Sequence, residues 1–361
     1  MAGEADAAVV ASASTAVMAV TAAPTVGPEI LVLQLVYVIA VKYAWMFIVA
    51  FGLFGNVMSI MITMQKDNRR ISTCNYMTAL AMADSIVLVN EGIWRIFFHV
   101  WDSDFPTELD MQIIWYIGFS FAILSGFYLA EMTIDRLIVV RFPMAAPRLC
   151  TTRRACTTIV VTCIVVCGLN LYVLFNFKYV HNEQTGHGTL LMTVADAPEL
   201  ETLGTTAQLA IGTILPFLII VSCNVWIFKV LHKASKKSSE MGVSKENQKT
   251  REKETAHLSR MLLLVSIAYV LTSIPLRIYD VIIGIPEVLA PYRLDEEYWS
   301  LRYYCQYFIV EDVWEMNFGI NFYLYCIGGG KKFRNDVKER LQHILPCCKM
   351  SRTRGSQKSV L

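Results

Sequence analysis

Seven separate stretches of this chain are long and apolar enough to cross a lipid bilayer, near 36–64, 72–98, 111–140, 153–177, 204–232, 256–284 and 303–328. A bilayer core about 30 Å thick takes about 20 apolar helical residues to span, so each stretch fits one helical crossing. No other feature constrains the fold as tightly. Only 17% of the residues are charged, against about 25% in soluble domains, and this argues against a soluble dinucleotide-binding enzyme and against disorder. Six scattered histidines and no Cys-x-x-Cys pair leave no ligand set for a soluble metal site. The expected fold is an all-α membrane protein, a seven-transmembrane helix bundle with a short amphipathic helix after the seventh span.

Charge fixes the expected orientation, because cytoplasmic connections keep an excess of Lys and Arg. Of the 32 basic residues, 26 fall in alternate connections, at the end of the third span and in the C-terminal tail. On the other side stand only Lys42, Arg95, Lys178, Arg277, Arg293 and Arg302, together with 20 acidic residues. The N-terminus is therefore expected outside and the C-terminus inside, with an acidic outer mouth that attracts cations within a screening length of roughly 8 to 10 Å. Residues 1–35 contain no Lys or Arg and read as an extracellular tail rather than a secretory signal. The chain shows no internal repeat, which weakens a transporter built from inverted halves.

Motifs recur at matched depths in these spans. The first contains Gly55-Asn56 and the second Leu80-Ala81-Met82-Ala83-Asp84. The third ends Asp135-Arg136 with Pro143 eight residues on, the fifth has Leu215-Pro216-Phe217 and then Asn224, the sixth has Pro275, and the seventh runs from Asn317 through Asn321 to Tyr325. Over roughly residues 36–348 the chain resembles the rhodopsin-like (class A) G-protein-coupled receptors. The Leu-Pro-Phe motif, and Asn321-Phe322 before Tyr325 where the family usually has Asn-Pro, are similar to invertebrate FMRFamide and other neuropeptide receptors. The resemblance implies a non-enzymatic plasma-membrane receptor: an extracellular tail over 1–35, a seven-transmembrane receptor domain over 36–328, an amphipathic juxtamembrane helix over 329–346 and a cytoplasmic tail over 347–361.

By resemblance, Asp135 and Arg136 form a G-protein switch with Asn321 and Tyr325, in which Asp135 holds Arg136 until activation. The family's further acid near the start of the sixth span is Thr255 here, with Glu254 beside it, so a weak lock and some basal activity are expected. A carboxylate at mid-membrane needs a cation or donors, at about 2.5 to 3.5 kcal/mol on insertion scales if unpaired. For Asp84 the candidate partners are Asn56, Ser125, Asn317 and Asn321, and the resemblance implies an allosteric sodium ion among them; a dry hydrogen-bond network is the alternative. Pro216 and Pro275 each remove a helical hydrogen bond and act as hinges. No other cofactor is expected. Cys347 and Cys348, after a basic amphipathic segment, are candidates for palmitoylation.

Departures from the family are informative. Met111 stands where the outer disulfide begins, and no Cys lies between 168 and 222, so the loop 178–203 is expected to be looser than usual. Ser273 replaces the family's Trp toggle, Glu315 occupies the level of a retinal-binding Lys, and Gly118 that of an amine-binding Asp. The outer half is unusually charged: Glu91 and Arg95 are four apart on the second span, Glu311 and Glu315 four apart on the seventh, and Arg277 and Asp280 follow Pro275. A Glu91–Arg95 pair is expected. The surplus acid of Glu311, Glu315 and Asp280 then suits a cationic group of an amidated peptide, with Trp94, Tyr116, Phe119 and Tyr279 as aromatic contacts; internal ion pairing is the alternative.

The expected partners are an extracellular peptide or small-molecule ligand, a heterotrimeric G protein, arrestin and a receptor kinase by resemblance, and the lipid bilayer, with no nucleic acid. Two rival readings stay open: a divergent chemoreceptor for small environmental molecules on the same fold, and an ion transporter or channel using the Asp84 cluster.

Overall fold

The computed structural model describes residues 28–99, 108–175, 178–181, 188–191, 208–241, 246–283 and 297–344. Seven long helices form the bundle. The first, α1, is a continuous run over 28–63 in which Pro28–Tyr37 and Trp45–Thr63 are α-helical and Val38–Ala44 is π-helical. It begins eight residues before the boundary expected from hydropathy, because Pro28 suits a helix start and the following residues are almost all apolar.

The remaining long helices are α2 (Ser72–His99), α3 (Glu108–Arg141), α4 (Thr152–Leu169, tightening into a 3₁₀ segment Asn170–Phe175), α5, α6 (Glu246–Ile283) and α7 (Glu297–Gly328). α5 opens with the π-helical segment Gln208–Ile214 and continues as Leu215–Met241. Pro216 sits at that junction, where a widened turn accommodates a ring without an N–H. Pro275 lies inside α6. The Thr151 hydroxyl caps α4 by accepting from the Arg154 N–H at 3.3 Å.

Five helices carry windows apolar enough to cross a membrane on composition alone. The other two of the seven, α2 and α7, carry the ionisable residues that must face the bundle interior. A core runs through Leu80, Leu124, Tyr128, Met132, Ile220, Leu262, Val265 and Tyr325 and ties α2, α3, α5, α6 and α7 together. α1 packs on α2 and α7. At the α1–α7 contact two glycines meet: a Cβ on Gly319 would lie 2.9 Å from the Gly52 Cα, and one on Gly52 would lie 2.9 Å from the Gly319 Cα.

After α7 comes α8 (Lys331–Ile344). Phe333, Val337 and Leu341 form its apolar stripe at four-residue spacing, and they pack on Met58, Ile62 and Phe322 of α1 and α7. The stripe that the sequence assigns to lipid is thus partly spent on docking α8 to the bundle.

Within the segment 178–203 the described residues form a hairpin. β1 (Lys178–His181) pairs antiparallel with β2 (Gly188–Leu191), with Tyr179 opposite Leu190 and Val180 opposite Thr189. Aromatic and β-branched residues favour that pairing. The parts of the two expected tails over 1–27 and 345–361, including Cys347 and Cys348, lie outside the described residues.

Candidate functional site

Three polar constellations line the bundle from end to end. At one end, Arg95 near the close of α2 is fully buried and reaches across to α7. Its Nη2 donates to Glu315 Oε1 at 2.6 Å and to Glu311 Oε2 at 3.1 Å, and its Nη1 lies 3.0 Å from Asp312 Oδ1. Phe308 faces the guanidinium at 5.3 Å. Residues 308, 311, 312 and 315 form one stripe at i, i+3, i+4 and i+7, so a single face of α7 presents the ring and all three carboxylates.

This corrects the expected pairing. Arg95 makes its ion pairs with α7 rather than with Glu91 one turn away, because its position on α2 directs the long side chain inward, where α7 offers three acids. Glu91 makes no ion pair with Arg95, while still feeling its charge. Gly118 explains the placement of Glu91 and Asn90: a Cβ there would sit 2.8 Å from Asn90 Nδ2 and 3.5 Å from Glu91 Oε1. The level at which amine receptors carry an acid is bare so that α2 can bring its own polar groups in.

The aromatic candidates divide. Trp94 packs on Trp115, with ring centroids 5.7 Å apart, and Trp115 on Phe119 at 5.2 Å. Tyr279 of α6 packs on Tyr307 at 6.2 Å, and the Tyr307 hydroxyl donates to Glu311 Oε1 at 3.2 Å. Tyr116 turns the other way and donates to the Cys167 carbonyl of α4 at 3.1 Å, so Trp115 is the α3 residue that meets Trp94. Arg277 is half-buried and close enough to Tyr269 to interact electrostatically. The side chain of Asp280 lies outside the described set, as do those of Glu254 and Thr255.

Midway along the bundle Asp84 is completely buried. Ser125 donates to its Oδ1 at 2.5 Å and Asn321 to its Oδ2 at 2.8 Å, which joins α2, α3 and α7. Two expected partners lie elsewhere. Asn56 donates to the Phe318 carbonyl at 2.9 Å, fastening α1 to α7 next to the glycine contact, and Asn317 is buried without a hydrogen bond to Asp84. The Asn56 Oδ1 and the Tyr325 hydroxyl are buried without a hydrogen-bond partner.

At the opposite end Asp135 and Arg136 close α3, both almost fully buried. They are not paired directly. Ser72 and Thr73, in the first turn of α2, donate to Asp135 Oδ2 at 3.0 and 2.7 Å, and Arg136 Nη2 donates to the same Thr73 hydroxyl. Thr73 thus stands between the two charges where a direct ion pair is expected. The Cys150 thiol donates to the Asp135 backbone carbonyl; burial, with Asp135 beside it, pushes that thiol up to about 12, so it stays protonated.

Sequence reasoning does not single out Thr73, Asp312 or Glu131. Glu131 lies inside α3 and takes a hydrogen bond from Thr162 of α4 at 2.5 Å. An acid within a span is the signal that could have flagged it.

Residues 55–321 match the model of the seven-transmembrane receptor (rhodopsin) family. The chain belongs to that family. Among characterised proteins, this rhodopsin-family chain is similar to thyrotropin-releasing hormone receptors. It is 31% identical to the chicken protein over 107 residues, which is 29% of this chain and 26% of that one, and 29% identical to the human protein over 127 residues, which is 34% and 31%. The similarity spans less than a third of those relatives' length. That family is one of multi-pass plasma-membrane signalling receptors without enzymatic activity.

Proposed function

We propose that this receptor binds an extracellular ligand carrying a cationic group, an amidated basic peptide by preference, and transmits the binding to a heterotrimeric G protein at the Arg136 end. One observation carries the ligand chemistry. The Arg95 guanidinium faces Glu311, Asp312 and Glu315, so one stripe of α7 gathers three carboxyl groups at a single point. A ligand cation competes with Arg95 for the same oxygens, which loosens the hold of α2 on α7. The aromatic pairs Trp94–Trp115 and Tyr279–Tyr307 flank the cluster on either side. The relatives' names tie them to a releasing hormone, which supports an extracellular messenger as the ligand.

The middle constellation fits the allosteric sodium ion that the family implies. Carboxylate, hydroxyl and amide groups are hard donors, the kind a sodium ion takes. Asp84, Ser125 and Asn321 would hold the ion, whose fixed positive charge offsets Asp84. Asp135, Arg136, Asn321 and Tyr325 form the switch, and Pro216 and Pro275 the hinges.

The test is G-protein dissociation in cells expressing the chain, challenged with amidated basic peptides and with uncharged small molecules. A peptide response that Arg136→Ala abolishes and Glu315→Gln shifts to higher concentration supports the reading. A response confined to uncharged compounds, or a peptide potency indifferent to Glu315→Gln, overturns the cationic-ligand assignment.

A further inference from the structure

Two thiols stand one turn apart on α4. Cys163 and Cys167 both lie inside the α-helical run Thr152–Leu169, so their four-residue spacing puts them on one face of the helix. That face is the edge of the seam between α3 and α4. To one side of the pair Val166 and Asn170 are buried, to the other Val160 and Ile164 are exposed, and both cysteines are half-buried and free. The thiols pack against the core cluster that contains Leu124 and Tyr128 of α3, and they remain reachable from the outer flank of α4.

The seam is fastened on both sides of Cys163. Tyr116 of α3 donates to the Cys167 carbonyl at 3.1 Å, and Tyr128, further along α3, donates to the Ile159 carbonyl at 3.4 Å. The two thiols therefore leave a backbone already tied to its neighbour, which lowers the ordering cost of closing on a ligand. Each phenol is close enough to both thiols to interact electrostatically, and the thiols are as close to one another.

Geometry sorts the chemistry available to this pair. Cβ atoms one helical turn apart lie about 5 to 6 Å from each other, beyond the roughly 3.5 to 4.5 Å that a disulfide spans. Joining the two sulfurs directly would unwind the turn. One ion between them fits instead, since two metal–sulfur bonds of about 2.3 Å reach across such a gap. Among the described residues no third Cys, His, Asp or Glu joins the pair into a larger ligand group. Structural zinc asks for a full tetrahedral set, whereas soft sulfur selects cuprous copper, which is content with two ligands. Charge agrees with that choice. Cu(I) held by one thiolate and one thiol is neutral, the displaced proton passing to water, and a neutral complex suits an apolar seam where a net charge is costly.

We infer that Cys163 and Cys167 form a binding site for a soft univalent metal ion, cuprous copper, at the α3–α4 seam. The site uses no residue of the Arg95 cluster or of the Arg136 switch, and it stands whether or not the cationic-ligand reading holds.

The test uses the full chain in detergent, with Cys347→Ser/Cys348→Ser as the background so that the adjacent tail thiols do not compete. Cu(I), kept reduced with ascorbate, is presented against the chromogenic chelator bathocuproine disulfonate. The inference predicts one tightly held equivalent in that background, weakened about a hundredfold in Cys163→Ser and in Cys167→Ser alike, because a two-point grip becomes a one-point grip. Cys156→Ser removes an exposed thiol about 10 Å along α4 from Cys163 and leaves the binding unchanged. In the unsubstituted chain, Cu(I) protects Cys163 and Cys167 together from alkylation, mapped by mass spectrometry, a readout that needs no variant to fold; Zn(II) at the same concentration does not. Tight binding retained in either single variant, alkylation of the two thiols indifferent to Cu(I), or protection by Zn(II) as effective as by Cu(I) overturns the inference.

Discussion

Two buried arginines sit near opposite ends of the bundle and are held in opposite ways. Arg95 lies 22 residues along α2 from Thr73, which at 1.5 Å per helical residue is about 33 Å. Arg95 meets three carboxylates on a neighbouring helix, two through hydrogen bonds and one through charge alone. Arg136 meets one neutral hydroxyl, that of Thr73, which itself serves Asp135. The first is a multi-point ionic clamp between α2 and α7. The second is a single link that α3 can release at small cost. On the proposed function, the contrast says where resistance to movement resides: a signal must overcome the clamp at the acidic end, whereas the link at the basic end lets go readily.

The comparison breaks first at Arg95. Arg95→Met leaves three buried acids without their cation, and removing one partner of a buried ion pair costs about 3 to 5 kcal/mol. The expected outcome is loss of surface expression or of thermal stability in detergent, partly recovered in Arg95→Met/Glu315→Gln because the second change removes one stranded charge. Full stability of the single variant would show that the clamp is ornamental.

Thr73→Val sharpens the other end. It removes the donor to Asp135 and the acceptor of Arg136 at once, an expected cost of about 1 to 3 kcal/mol for the groups left unsatisfied. Ligand-independent G-protein activation rises with surface amount matched. Asp312→Asn follows in size: its carboxylate is near Arg95 without a hydrogen bond in good geometry, so the expected loss is about 1 kcal/mol by thermal unfolding, below that of Glu315→Gln. The smallest effect is expected at Tyr325, whose hydroxyl has no partner here. Tyr325→Phe leaves stability within about 0.5 kcal/mol of wild type, and an effect on signalling alone marks the hydroxyl as one engaged only in the active arrangement.

Much of this architecture is legible in the sequence, and what is not has a physical reason. The seven spans follow from hydropathy, and the inward faces of α2 and α7 follow from the cost of charge in lipid. The choice between Glu91 and α7 as partner for Arg95 does not, because it depends on how two helices are rotated toward each other. Asp312 is missed by counting only i, i+4 pairs, although Phe308, Glu311, Asp312 and Glu315 spell out a helical stripe. Asp84 with Ser125 and Asn321 is found, since each stands on a span at matching depth. Asn56 is misassigned because its amide prefers the Phe318 carbonyl exposed by the Gly52–Gly319 contact, a packing detail with no local signature. Thr73 is overlooked because a hydroxyl in a first helical turn reads as an ordinary end residue.

On the proposed function, the Arg95 clamp holds the receptor at rest and release at its end is read out through Arg136. The most direct measurement is ligand-free G-protein dissociation by Arg95→Met/Glu315→Gln at a surface level matched to wild type, with and without Arg136→Ala. The expected result is basal signalling well above wild type that Arg136→Ala abolishes. Basal signalling equal to wild type, or a rise that survives Arg136→Ala, would contradict it.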